Sequence, residues 1–355
     1  MIRVVTVDDS ALSRAILKNI LESDGDITVV GQAANGFEAI PRIQEHSPDL
    51  VTMDIDMPGQ NGLETIEKVM QTCPVPILVV TGERLGPESD VGFRAIQLGA
   101  LDFMAKPPIT DAASTAVLRQ QVRALAGVPV FFHAGERPQE IERVTVSPAS
   151  AVTRHAVVAI ASGTGGPKAL GQIAAALPED FACPIVVVQH LPDRFTSSFA
   201  KYLQAQTALK VVLVDAMPHD LVPGEIVLSQ GTDAHIYCPR PGVVVGLDAP
   251  PHAGHRPSAT LLLRSIAEAY GRNAIGVVLS GTGDDGLEGI EAMHAAGALT
   301  LAESPDSAHV PDLPRAAVKA RAVSRTMPSE MLADFVVATV SNASSKTTAP
   351  PSALD

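Results

Sequence analysis

Charged and hydroxyl-bearing residues stand where short apolar runs stop. Val4–Val7 runs into Asp8 and Asp9, Leu50–Met53 into Asp54, Pro76–Val80 into Thr81, and Asp102–Ala105 into Lys106. Three carboxylates brought together repel one another unless a hard cation neutralises them, and Mg²⁺ takes oxygen ligands of this kind. A carboxylate beside Mg²⁺ can accept a phosphoryl group, and a lysine and a threonine nearby can hold the new phosphate oxygens. The chemistry expected of this half is therefore phosphoryl transfer.

A second set lies further along the chain. The apolar run from Val157 stops at Ser162-Gly163-Thr164-Gly165-Gly166, and Pro167 opens a helix-like segment. A strand, a tight glycine turn and a helix with Pro in its first turn present backbone N–H groups to an anion or an oxyanion. Serine hydrolases hold their nucleophile on a similar turn. His190 follows the VVVQ run and Asp285 follows VVLSGTG. A Ser, a His and an Asp arriving from three strand ends would form a hydrolytic triad, in any chain order. Yet the place where the nucleophile is most expected is Gly163. A dinucleotide loop does not fit, because SGTGG lacks the G-x-G-x-x-G spacing.

Parallel α/β sheets can bring these residues together. Residues 1–106 alternate strand-like and helix-like segments, with strands expected at Val4–Val7, Ile27–Val30, Leu50–Met53, Pro76–Val80 and Asp102–Ala105. Helices are expected between them, the first with Leu12, Ile16, Ile20 and Leu21 on one face. Such units wind a parallel sheet from both sides, and ligands bind at the carboxyl ends of its strands. Residues 156–340 read as a second α/β domain. Its strands are expected at Val157–Ala161, Ile185–Val188, Val211–Val214, Ile226–Leu228, Val243–Leu247, Ile275–Leu279 and Leu299–Ala302. The fold class is α/β, with two doubly wound parallel-sheet domains. Residues 126–155 lose periodicity and hold Pro129, Pro138 and Pro148, as a linker would. Residues 341–355 read as a disordered tail.

The 355 residues carry a net charge of -13 with no basic run, which argues against nucleic-acid binding. The longest apolar runs fall short of a membrane span, and no basic-plus-apolar leader precedes Asp8. A soluble cytoplasmic protein without membrane insertion is expected. Cys73, Cys183 and Cys238 show no metal-ligand spacing and read as small core residues. No cofactor is expected in the second domain.

VDDSALSR, MDIDMPGQNGLETI, VVTG and LGALDFMAKP resemble the response-regulator receiver domain, flavodoxin-like in fold, over residues 1–125. That resemblance implies phosphorylation of Asp54 by a histidine kinase, with Asp8, Asp9 and Asp54 at a Mg²⁺ site. It also implies that Lys106 binds the phosphoryl group and that Thr81 and Phe103 form the switch. VVAIASGTGGPKAL, VVVQHLPDRFTSSFA, HRPSATLLLRS and VLSGTGDDGLEG resemble the chemotaxis protein-glutamate methylesterase domain. This second resemblance implies hydrolysis of methyl esters, and deamidation of glutamines, on methyl-accepting chemoreceptors. His190 and Asp285 match the base and its orienting carboxylate.

The nucleophile does not carry over, because the family has Ser where this chain has Gly163. Ala161, Thr260 and Thr282 stand where that family has Gly, Asp and Met. Ser162 is the obvious substitute, but strand neighbours point to opposite faces, which turns its hydroxyl away. Thr164 lies on the other side of the same turn. Two functions therefore stay open: an ester hydrolase, and a receptor-binding signalling module that has lost hydrolysis.

Overall fold

The computed structural model describes residues 1–82, 91–130, 156–191, 195–229 and 235–344, with side chains described to 340. The chain divides into two compact units, Met1–Gln139 and Glu140–Asp355. Most of the segment expected to be a linker, 131–155, lies outside the described residues.

The first unit alternates β1 (Ile2–Val7), α1 (Ala11–Glu22), β2 (Ile27–Ala33), α2 (Gly36–His46), β3 (Leu50–Met53), α3 (Gly62–Thr72), β4 (Ile77–Thr81), α4 (Val91–Gln97), β5 (Asp102–Ala105) and α5 (Ala112–Leu125). The strands form a parallel sheet in the order β2-β1-β3-β4-β5. Helix starts are set by side-chain caps, in which Ser10, Asn35, Asn61 and Asp111 accept first-turn N–H groups. β3 and β4 are buried along their whole length, as strands covered by helices on both faces must be. Because β3 lies between β1 and β4, Asp8, Asp54 and Thr81 leave neighbouring strands at one sheet edge. One expectation fails in α1: Leu12 is 71% exposed, and Leu17 packs inward with Ile20 and Leu21 instead. Spacing of three and four residues from Leu17 makes the narrower buried stripe.

The second unit comprises β6 (Val157–Ser162), α6 (Gly166–Ala176), β7 (Ile185–Gln189), α7 (Thr196–Gln204), β8 (Lys210–Val214), β9 (His219–Asp220), β10 (Glu225–Ser229), β11 (His235–Arg240), β12 (Val243–Leu247), α8 (Ala259–Tyr270), β13 (Ala274–Val278), α9 (Leu287–Ala295), β14 (Leu299–Glu303), α10 (Asp312–Lys319), β15 (Arg325–Met327) and α11 (Ser329–Ser344). Its main sheet is parallel, in the order β15-β14-β13-β6-β7-β10-β8. The expected strand Val243–Leu247 forms, but within a small antiparallel sheet, β11-β12-β9.

The central strand β6 shows the two faces of this sheet. Val157, Ala159 and Ala161 join the core with Leu262, Leu263 and Ile266 of α8. Val158 and Ile160 line the opposite layer with Ile173 of α6 and Leu332 and Val336 of α11. α11 itself was not expected, and it carries helix through residues 341–344, the start of the expected tail. Its β-branched run, Val336, Val337, Thr339 and Val340, looks strand-like, but burial of Leu332, Ala333, Val336 and Val340 at helical spacing decides for helix. No Gly or Pro follows to stop it before Pro350. Residues 345–355 of that tail lie outside the described residues.

Candidate active sites

In the first unit the Lys106 ammonium is the centre of the acidic cluster. Its Nζ donates to Asp54 Oδ2 at 2.5 Å and lies 2.7 Å from Asp8 Oδ2. Asp54 Oδ1 accepts the Ile55 N–H at 2.8 Å, and Asp8 Oδ1 accepts the Ser10 N–H at 2.9 Å. Asp8 and Asp54 are buried, whereas Asp9 is exposed. Ligand oxygens of Asp8, Asp9 and Asp54 lie within 4.8 Å of one another. Burial raises the Asp8 carboxyl above its ordinary value, against the pull of Lys106. Burial also works against the Lys106 ammonium, but its bonds to Asp54 and Asp8 outweigh that and hold it above its ordinary value. Three carboxylates against one lysine leave excess negative charge on oxygen donors alone, which suits a hard divalent cation. Thr81 Oγ1 is buried and has no hydrogen-bond partner among the described residues, so it is free to meet an incoming oxygen.

Phe103, the other expected switch residue, points inward. Its ring meets that of Phe93 edge-on at 4.8 Å and lies under α4. A Cβ added at Gly92 would come within 2.7–2.8 Å of the Phe103 ring. Gly92→Ala is therefore expected to displace that ring and destabilise the first unit by about 1–3 kcal/mol. A urea titration of the full chain reads this, and an unchanged midpoint would show that Phe103 has room to move.

In the second unit the strand ends converge as expected. β6 leads into the turn at Gly163, β7 into His190, and β13 into the turn that carries Asp285. His190 Nε2 donates to Asp285 Oδ2 at 2.9 Å. With its proton on Nε2, the neutral ring has its lone pair on Nδ1. That nitrogen faces Gly163: a Cβ there would lie 3.7 Å from it and 3.7 Å from the Thr282 amide. Among the described residues the Thr282 N–H has no acceptor.

The first turn of α8 holds Asp285. Ser258 Oγ donates to Oδ1 at 2.8 Å, the Ala259 N–H to Oδ2 at 2.7 Å and the Thr260 N–H to Oδ1 at 3.1 Å. A carboxylate at a helix N-terminus is favoured by those free donors. Burial disfavours the charge, but the His190 and helix bonds outweigh it and hold the carboxyl well below the usual carboxylate range. Thr260 adds a further link, its hydroxyl accepting the Gly286 N–H at 2.8 Å.

Ser162 is not brought to His190. Its side chain lies against the first residue of α6, where a Cβ on Gly166 would collide with the hydroxyl. The hydroxyl is buried and unpartnered among the described residues. It occupies the face of β6 that packs on α6 and α11, and Gly163 takes the other face.

Ser280 joins the turns, and composition and spacing gave no sign of it. Its carbonyl accepts the Gly163 N–H at 2.9 Å, and its hydroxyl donates to Thr164 O at 2.9 Å and accepts from the Val310 N–H at 2.8 Å. Its own N–H donates to Glu303 Oε2 at 2.8 Å. Glu303 ends an apolar strand, the rule that singled out Asp54, and it is 1% exposed. Burial pushes its carboxyl up to about 7, with Glu330 adding to the rise and the Ser280 N–H and Lys168 opposing it. An acid raised in the fold stabilises most below its ordinary value of 4.5, and that stability is lost as pH rises towards 7. Glu303→Gln keeps an acceptor for Ser280 without the charge. It is expected to be more stable than the parent by roughly 3 kcal/mol at pH 8 and to lose the advantage by pH 4. Thermal melts at both pH values measure this, and a gap that does not change with pH would refute it.

Residues 158–336 match the family model described as CheB methylesterase, and residues 4–117 that of the response regulator receiver domain. A protein-glutamate methylesterase/protein-glutamine glutaminase of Paramagnetospirillum magneticum is 36% identical over 339 residues, covering 94% of each chain. One from Anaeromyxobacter dehalogenans is 39% identical over 330 residues, covering 92% of this chain and 94% of its own.

The chain belongs to the CheB methylesterase family.

A third CheB-type relative, from Caulobacter vibrioides, is 39% identical over 336 residues, covering 91% of this chain and 94% of its own. Two supports in this CheB methylesterase chain escaped sequence reasoning, the α8 start at Ser258 and the Ser280–Glu303 pair. Ser258 was legible in principle, as a Ser directly before an apolar helical run.

Proposed function

We propose that this chain is a phosphorylation-controlled chemosensory response regulator that hydrolyses methyl-esterified glutamates, and deamidates glutamines, on methyl-accepting chemoreceptors. The observation that carries the proposal is the His190–Asp285 pair, with its basic nitrogen aimed at the glycine turn. Residues 1–125 act as the receiver and 156–340 as the hydrolytic domain, joined by a linker, in the cytoplasm. No described helix is long and apolar enough to cross a membrane. A histidine kinase supplies the phosphoryl group. One Asp54 oxygen bonds to the phosphorus as the bond from phosphorus to the kinase's histidine nitrogen breaks and that imidazole leaves, and Lys106 and the Thr81 hydroxyl hold the transferred oxygens. Asp8, Asp9 and Asp54 would hold Mg²⁺, which offsets charge on the phosphoryl oxygens. Phosphorylation then shifts the chain towards its hydrolytically competent population, with Phe103 responding to Thr81.

A specific observation favours a second reading. No hydroxyl stands at position 163, where His190 points, so receptor binding without hydrolysis is the competing function. Methanol release from a methylated receptor fragment, with and without a small-molecule phosphodonor and Mg²⁺, separates the two. Release that rises with the phosphodonor is expected. Binding of the fragment with no methanol in either condition would put the binding module in its place.

A further inference from the structure

A histidine paired with a carboxylate is a general base, and here it faces a residue with no side chain. Nothing covalent stands between His190 Nδ1 and the Gly163 backbone, and the side chain of His190 is 26% exposed, so solvent reaches the ring. The Thr282 amide lies on the same side of the turn, with no acceptor among the described residues. The hydroxyl next to Gly163 in the chain, Ser162, lies on the far face of β6, and the Ser258 hydroxyl is committed to Asp285 Oδ1. Thr164 belongs to the same turn, where its carbonyl accepts the Ser280 hydroxyl, and its own hydroxyl is probed directly in the test below. A metal-bound hydroxide also fits poorly. His190, His255 and Asp285 bring ligand atoms within 4.8 Å, but the two rings stack at 21° with centroids 5.1 Å apart. Lone pairs lie in the ring planes, so stacked rings do not converge on one ion, and both oxygens of Asp285 already accept hydrogen bonds.

We infer that this chain hydrolyses its ester by direct attack of water, with His190 as general base and no acyl-enzyme intermediate. The inference rests on the hydrolase reading above. His190 Nδ1 removes a proton from water as the water oxygen bonds to the ester carbonyl carbon. The carbonyl electron pair moves to oxygen, where the Thr282 N–H meets it. The tetrahedral intermediate collapses, the bond from carbon to the methoxy oxygen breaks, and imidazolium returns its proton to that oxygen. Methanol and a glutamic acid side chain result, and the acid loses its proton to solvent. Apart from water, no co-reactant and no oxidant is needed. General-base catalysis of this kind contributes about 10²–10⁴-fold, so slow but real turnover is expected.

The test uses the full chain, Mg²⁺, a phosphodonor and a methylated receptor fragment. Rapid-quench mass spectrometry looks for an acyl adduct during turnover, and a fluorophosphonate tests for an activated hydroxyl. The Gly163→Ser variant is the positive control, since it supplies the hydroxyl. The expected result is methanol release by the parent chain without adduct, changed by less than about twofold by the fluorophosphonate, while the variant is labelled and loses at least about tenfold. An acyl adduct on Ser162, Thr164 or any other residue of the parent, with turnover intact, overturns the water step and leaves the hydrolase reading standing. Turnover that stops with a transition-metal chelator in excess Mg²⁺ also overturns it. No methanol from the parent overturns both.

Discussion

Gly163→Ser is expected to raise methanol release by about 10²–10³-fold, because a tethered hydroxyl replaces a water that must be captured and oriented. The new Cβ would lie 3.7 Å from His190 Nδ1, which puts its hydroxyl within reach of the base. Backbone strain does not oppose the change. Gly165, Gly283 and Gly286 take positive φ in these turns, but Gly163 does not. The obstacle is steric, since that Cβ would sit 3.0 Å from Gly281 Cα and the facing turn must yield by a few tenths of an ångström. Initial rates of parent and variant on the same receptor fragment give the comparison. A folded variant no faster than the parent would mean that Ala161, Thr260 or Thr282 has reshaped the site so that a serine is not enough.

Asp54→Asn is expected to reduce phosphoryl incorporation to background. The carboxamide has no anionic oxygen to attack phosphorus, and it removes a ligand from the acidic cluster. Asp8 is held by a backbone N–H and Lys106 much as Asp54 is, so the variant itself decides between the two carboxylates. Asp9 shares the cluster but is exposed. The full chain is treated with a small-molecule phosphodonor and Mg²⁺, and the phosphate is counted by intact-mass spectrometry. Labelling of Asp54→Asn equal to the parent would move the acceptor to another side chain. The same variant should also lose any phosphodonor stimulation of methanol release.

The candidate site residues are legible in the sequence because they obey one rule. Asp8, Asp54, Thr81, Lys106, His190 and Asp285 all follow apolar runs, and a parallel sheet delivers such positions to one edge. Side-chain alternation likewise argues against Ser162 as the stand-in for a residue at Gly163, because the period of a strand is two, and the structure puts the Ser162 hydroxyl on the α6 face. What supports these residues was harder to read. Asp285 is held by Ser258, Ala259 and Thr260, more than twenty residues earlier in the chain, and nothing local to Asp285 announces that helix end. The backbone angle of Gly163 is also a property of the folded turn, since glycine accepts either sign of φ. α11 is hard to read from sequence because its β-branched run suits a strand, and only the buried face against α6 decides the matter. Leu12 erred the other way, as an apolar residue that the helix leaves outside.

Ser280 ties together residues far apart in sequence: Gly163 and Thr164 after β6, Val310 after β14, and Glu303 at the end of β14. No single strand end can loosen without breaking a bond that the others share. Hydrogen exchange should therefore show the amides of Gly163, Ser280 and Val310 opening as one cooperative unit, at a single free energy, rather than fraying one by one as loop amides do. The site would then exist fully formed or not at all. Its assembly must wait until β14, late in the chain, has joined the sheet, so a nascent chain ending before Val310 would carry His190 and Asp285 without a working site.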